Sequence, residues 1–257
     1  MAASPVVLLT GASRGIGKAT ALAALTTFNA RIVAVARNTD LLKQLEAEAE
    51  KLGKADSITT VAGDVTDNQV IKQSVATAIE KWGQLDALIA NAGVVAPLAS
   101  VADVNVEEFK RLFDINFFSI LSLVQEALPH LRKSKGSIIM VSSGAAARGY
   151  RGWAAYGSSK AALNHLTSTL SVEEPEITSI AIRPGVVDTD MQGLLRAEGK
   201  ESMKDDHQKF IELHESGKLV PPEQSGHVLA ALAANPPHAL SGSFCSWDEE
   251  KLKDYRL

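Results

Sequence analysis

Short apolar runs recur along this chain, and each is followed by a stretch whose apolar residues fall at helical spacing. "PVVLLT" (5–10), "RIVAVA" (31–36), "SITTVAG" (57–63), "LDALIANAG" (85–93), "GSIIMVSS" (136–143) and "ITSIAIRPG" (177–185) read as strands. The spacing predicts helices over 15–28, 39–53, 67–82, 105–133 and 153–172. A second helix-start signature opens 221–234, and "LSGSFCSW" (240–247) reads as a last strand. The runs hardly alternate with polar residues, so the strands are expected to be covered on both faces. Strand–helix alternation then demands right-handed crossovers and a doubly wound parallel sheet with helices on both faces, an α/β fold. No repeat or linker interrupts the 257 residues, so residues 1–257 read as a single domain.

Several function classes are argued against at once. The formal net charge of -4 offers no basic footprint for nucleic acid. No apolar run approaches the roughly 20 residues that span a bilayer. The opening residues lack the basic segment of an export signal, and Cys245 has no second cysteine to pair with, so a cytoplasmic location is expected. Cys245 itself reads as a small buried hydrophobe. The six histidines show no spacing that would build a zinc site, and no metal is expected.

The first chemical signal is "TGASRGIG" (10–17), which joins the first strand to the first helix. Glycine lets the chain turn sharply, and positions without side chains let backbone approach a pyrophosphate. The helix N-terminus then offers free N–H groups and a partial positive charge. Gly11, Ser13, Arg14, Gly15, Ile16 and Gly17 are therefore candidate cofactor contacts. An NAD site usually carries an acid about 20 residues further on. Here that place is Arg37, preceded by Ala36. Arg14 and Arg37 can grip a 2′-phosphate with charge-assisted bonds, which favours NADP(H); otherwise each is a solvated surface charge. Asp40 lies close in sequence and speaks against this reading. Asp64, followed by Val65, ends the third strand; it either caps the next turn or binds an adenine amino group. Asn91, in "ANAG" with Ala92 and Gly93, ties strand ends together, lies along the cofactor, or does both.

The second signal is "SSGAAARGYRGWAAYGSSK" (142–160). Tyr156 and Lys160 are four apart on a predicted helix and share a face. A free phenol has a pKa of about 10, and a nearby cation is expected to lower it toward useful acid–base catalysis. Ser143 ends the preceding strand and can donate to an oxygen where charge develops. The set suits moving a proton at a carbinol or carbonyl oxygen while hydride passes to or from a nicotinamide. Asn116 falls among Phe109, Phe113, Phe117, Ile120 and Val124 on an apolar face. A buried amide needs partners, so it either locks the helix or holds a water that relays protons from Lys160.

"TGASRGIG", "ANAG", Asn116, Ser143, "YGSSK" and "RPGVVDT" together resemble the short-chain dehydrogenase/reductase family over nearly the whole chain. The resemblance implies a single-domain Rossmann fold around a seven-stranded parallel sheet. It implies Tyr156 as catalytic acid, Ser143 polarising the carbonyl, Lys160 holding the nicotinamide ribose and depressing the Tyr pKa, and Asn116 supporting a relay water. Pro184, Gly185, Val187 and Thr189 would flank the nicotinamide. Ala90 departs from the family pattern, which often has a second Asn there. "RLFDINFFSILSLV", "VSSGAAARGYRGWAAYGSSKAALNH" and "PGVVDTDMQ" are similar to a fungal benzil reductase group related to sepiapterin reductases. That implies NADPH-dependent reduction of one carbonyl of an aromatic or vicinal diketone. Ala145, Tyr150, Trp153 and Met191 are candidate substrate contacts; the aromatic pair lines a pocket for a flat molecule or is ordinary packing. By analogy, the long helices pair subunits into a homodimer or homotetramer. Two other readings are a non-catalytic NADP(H)-binding regulator, which would not need the Ser, Tyr and Lys, and an oxidative NAD-linked alcohol dehydrogenase, against which Ala36 and Arg37 speak. The polar stretch 191–219 follows a strand end and reads as a substrate lid or as a solvated helical pair.

Overall fold

The computed structural model describes residues 4–257; Met1–Ala3, part of the segment read for an export signal, lie outside it. The first half runs β1 (Val6–Thr10), α1 (Gly15–Thr26), β2 (Arg31–Ala36), α2 (Thr39–Lys51), β3 (Ile58–Ala62), α3 (Asn68–Trp82) and β4 (Ala87–Ala90). Then come α4 (Val106–Phe113), α5 (Ser119–Ser134), β5 (Ser137–Val141), α6 (Ala154–Glu173) and β6 (Thr178–Arg183). α7 (Asp190–Glu198), α8 (Lys200–Met203), α9 (Asp205–Glu215), α10 (Pro222–Ala234) and β7 (Phe244–Ser246) complete the chain.

All seven strands are parallel in one sheet, ordered β3-β2-β1-β4-β5-β6-β7. Leu9 of β1 stands opposite Ala34 of β2 on one side and Ile89 of β4 on the other. Strand geometry sends alternate residues to opposite faces. Val7 and Leu9 enter the core shared with α1, α2 and α10, whereas Val6 and Leu8 enter the core under α3, α5 and α6. Two covered faces explain why the strands read as unbroken apolar runs. Cys245 is buried in β7, as its surroundings in the sequence suggest.

The strand order reverses between β1 and β4. In open parallel sheets, ligands sit in the crevice outside the strand C-termini at such a switch point. The glycine turn after β1 and the "NAG" loop after β4 both lie at this crevice.

The long helix predicted over 105–133 differs in one respect. A π-helical segment, Asp114–Phe118, separates α4 from α5. The amide N–H of Ser119 reaches back to the Asp114 carbonyl, a five-residue step. Such widened turns often mark functional positions. This one holds Asn116 fully buried. The polar stretch at 191–219 also takes definite form as α7, α8 and α9. Leu195, Met203 and Phe210 from these helices are buried in a third apolar cluster with Trp153 and Tyr156.

Candidate active site

A cleft of about 710 Å³ opens at the C-terminal edge of the sheet. At one end it is lined by the glycine turn, by Arg37 at the end of β2, and by Asp64 and Val65 after β3. Asn91, Ala92 and Gly93 lie in the middle with Ser143, Tyr156 and Lys160. Pro184, Gly185, Val187, Thr189 and Met191 form one wall, and Ala145, Tyr150 and Trp153 another. Every candidate residue except Asn116 therefore lines this single cleft.

The glycines follow the geometry that the turn requires. Gly11 and Gly15 have φ of +66° and +51°, a region that disfavours side chains. Gly17 has no such φ, but a Cβ there would stand 2.1 Å from the Gly11 carbonyl oxygen. Arg14 occupies the N-cap of α1 without a side-chain capping bond, and the first turn of the helix holds no acid. Its leading N–H groups are thus uncapped by side chains and face no local negative charge. The residues present therefore fit a dinucleotide pyrophosphate.

The charges at this end are arranged in a way that sequence distance conceals. Asp40 makes no ion pair among the described residues. The acids that reach the two guanidiniums are Asp190, with Oδ2 2.5 Å from Arg14, and Asp64, with Oδ2 3.9 Å from Arg37. Oδ1 of Asp64 accepts bonds from the Thr66 amide and hydroxyl at 2.9 and 2.8 Å. The Thr66 amide is the main cause that holds this carboxyl below its ordinary pKa. Asp64 thus caps the turn, and its second oxygen stays beside Arg37. Asn91 is a strand tie: its Nδ2 donates to the carbonyls of Thr10 and Gly11 at 2.9 and 3.1 Å.

Tyr156 and Lys160 lie on one face of α6, and Nζ is 5.9 Å from the phenol ring centroid. Both are buried. Nζ donates to the Val141 carbonyl at 2.8 Å, which fixes the ammonium at the end of β5. Burial lowers the Lys160 pKa to about 8. The expected lowering of the Tyr156 pKa is not what the surroundings produce. Burial pushes the phenol up, and a hydrogen bond with Ser143 offsets only part of this. Loss of water around the phenolate is the dominant cause. Ser143 sits in extended backbone at the start of a short turn, where its Oγ also accepts from the Ala145 amide at 3.1 Å.

Asn116 makes the bonds that a locking role requires. Its Oδ1 accepts from the Val94 amide at 2.8 Å, and its Nδ2 donates to the Val94 carbonyl at 2.8 Å and to Ser159 Oγ at 3.2 Å. Both amide hydrogens are thereby used. Ser159 in turn donates to the Tyr156 carbonyl at 2.7 Å. The widened helical turn therefore pins the loop after β4 and the start of α6 together. Ser142 adds a second tie, donating to Asn164 Oδ1 at 2.6 Å. Sequence reasoning missed Ser142 and Ser159, although both are immediate neighbours of candidate residues.

Sequence reasoning also missed Phe210. It reaches the cleft from α9, with its ring centroid 5.3 Å from Trp153 and 6.2 Å from Tyr150. Tyr150 and Trp153 are 5.0 Å apart, and Tyr156 meets Trp153 edge-on at 5.4 Å. The only signal was a lone aromatic inside a polar stretch. Two buried polar atoms of this wall, Trp153 Nε1 and Gln192 Oε1, find no hydrogen-bond partner among the described residues. Among those residues, no group of three acids, histidines or cysteines is placed to hold a metal, and no helix is long and apolar enough to cross a membrane.

A cleft that runs from the glycine turn to Ser143 and the buried Tyr156 and Lys160 is suited to coupled hydride and proton transfer. The short chain dehydrogenase family profile matches residues 5–200, and the chain belongs to that family. An uncharacterized oxidoreductase of Schizosaccharomyces pombe is 49% identical over 95% of this chain and 97% of its own. A benzil reductase ((S)-benzoin forming) of Saccharomyces cerevisiae is 38% identical over 96% of this chain and 97% of its own. A crystal structure of a short chain dehydrogenase/reductase from Saccharomyces cerevisiae superposes with a TM-score of 0.94 at 40% identity, covering 99% of this chain and all of that one. The protein is an oxidoreductase of a family that uses a nicotinamide cofactor.

Proposed function

We propose that this enzyme is an NADPH-dependent carbonyl reductase acting on aromatic or vicinal diketones such as benzil. The observation that carries this reading is a buried phenol, its pKa pushed up by burial, that lines one cleft with Ser143 and an aromatic wall. When bound, the nicotinamide supplies the hydride that forms the new C–H bond. Tyr156 gives its proton to the oxygen that becomes the hydroxyl, and Ser143 donates to the same oxygen as its charge grows. Lys160 carries a positive charge below about pH 8, which stabilises the phenolate left behind. Asn116 and Ser159 act as positioning residues that fix the start of α6.

Two features support a diketone. The rings of Tyr150, Trp153 and Phe210 give a flat substrate faces and edges to pack against. The partnerless Trp153 N–H is a buried donor that a second carbonyl oxygen would satisfy. The similarity to a benzil reductase points the same way. The test is NADPH consumption with benzil, other vicinal diketones, sepiapterin and simple ketones. Turnover concentrated on the diketones supports the reading, and turnover only of simple ketones contradicts it. Clear NADPH binding without turnover of any of them would favour a regulator.

Arg37 supports the phosphorylated cofactor, because it ends β2 where an NAD site has an acid, and it is mostly exposed toward the cleft. Arg37→Ala is expected to raise KM for NADPH by about 10- to 100-fold, the worth of a hydrogen bond to a charged group. KM for NADH should move less than about 3-fold on the same argument. Equal effects on both cofactors would count against Arg37 as the 2′-phosphate contact.

The helices α7 to α9 cover the substrate end and are read as its lid. Amide hydrogen exchange in 191–219 should slow when NADPH and an unreactive diketone analogue bind together. Exchange equally slow with and without them would leave the segment a fixed wall. Pairing of two or four copies through the long helices is part of the same reading, and the exposed Val106, Phe118 and Val172 on them support it.

A further inference from the structure

We propose that Asp190 limits cofactor affinity by neutralising Arg14, so that a phosphate must displace its carboxylate to gain the guanidinium. The inference rests on the cofactor reading above. Arg14 and Asp190 lie 176 positions apart, yet Arg14 NH1 meets Asp190 Oδ2 at 2.5 Å and both line the cleft. The two segments are in contact there, since a Cβ on Gly15 would stand 3.0 Å from Thr189 Cγ2.

Local structure puts the carboxylate in this place. Asp190 is the first residue of α7, and Thr189 before it makes no capping bond, its hydroxyl instead facing the Val187 carbonyl at 3.3 Å. An acid in the first turn of a helix is favoured by the exposed N–H groups. The same carboxylate faces across the cleft to the glycine turn. Both partners of the pair are more than half exposed, so the pair itself is weak and open to exchange. Arg37 differs, because its acid stands 3.9 Å away and has one oxygen already engaged by Thr66. Arg14 is therefore the cation whose charge is held in check, and Asp190 the residue that does so.

The test uses the full chain and reads binding rather than turnover. Dissociation constants for NADPH and NADH would be measured by fluorescence titration for the native protein, Asp190→Asn, Arg14→Ala and the double variant. Asp190→Asn should tighten NADPH by about 3- to 5-fold, the worth of an exposed ion pair that no longer has to be broken. In the Arg14→Ala background the same change should give less than about a 2-fold gain, since no ion pair is left to displace and the exposed carboxylate is free to turn into solvent. Asp190→Ser with an unchanged melting temperature should repeat the gain, which separates it from damage to α7. Unchanged or weaker binding in both Asp190 variants would overturn the proposal. So would an equal gain with and without Arg14. Preference of the native protein for NADH would sink the NADPH reading alone; an Arg14-dependent gain on NADH would then still uphold Asp190.

Discussion

Replacing Tyr156 with Phe is expected to lower kcat for carbonyl reduction by about 10²- to 10⁴-fold, the range for loss of a positioned general acid. Phenylalanine keeps the ring that packs edge-on to Trp153 and removes only the hydroxyl. The fold should therefore hold, and the NADPH dissociation constant should stay close to that of the native protein. Rapid-mixing kinetics with benzil, beside a fluorescence titration of NADPH, separate the two effects. A variant that retained most of its turnover would remove Tyr156 as the proton donor.

Lys160→Met is the second large effect. It should cut kcat/KM by about 10²- to 10³-fold, the usual cost of losing a preorganised charge at the reacting centre. The pH profile adds a sharper reading. Burial lowers the Lys160 pKa from 10.5 to about 8, so the native enzyme should lose reductase activity as pH rises through about 8. The methionine variant should lack that limb. Stability carries the opposite sign. The folded state gives up this proton earlier than the unfolded chain does, so the cost of burying the charged amine is full below about pH 8 and eases as pH rises toward 10.5. Thermal melting at neutral pH should accordingly show the methionine variant no less stable than the native protein. Lower stability with an unaltered pH limb would mean that Lys160 serves only its bond to Val141.

The parts of this molecule that were legible in the sequence are those set by local periodicity. The unbroken apolar runs required a sheet covered on both faces, and the alternation with helices required parallel crossovers. Four-residue spacing put Tyr156 and Lys160 on one face before any distance was known. The glycine turn was recognisable because its position between a strand and a helix restricts what it can do.

What was not legible depends on contacts between distant segments or on burial. Asp40 was the obvious acid near Arg37, yet Asp64 and Asp190 reach the guanidiniums, one of them from the far side of the cleft. Spacing places a cation near the phenol but does not say how much water each has lost. Desolvation is what pushes Tyr156 up and Lys160 down. Asn116 looked equally fit to lock or to relay. Its bonds to Val94 follow from a widened helical turn that no period in the sequence announces. Phe210 lies in a polar stretch, and only the folding of α9 over Trp153 makes it part of the wall.

The central claim is that Tyr156 and its neighbours complete a hydride transfer from NADPH to a diketone carbonyl. The most direct measurement uses NADPH carrying deuterium on both positions of its hydride-donating carbon, incubated with the native enzyme and benzil. Mass spectrometry of the product should find benzoin with one deuterium on the carbinol carbon, and at least about 100-fold less of it formed in the same time by the Tyr156→Phe protein. No benzoin with NADPH demonstrably bound, or benzoin without the label, would contradict the account.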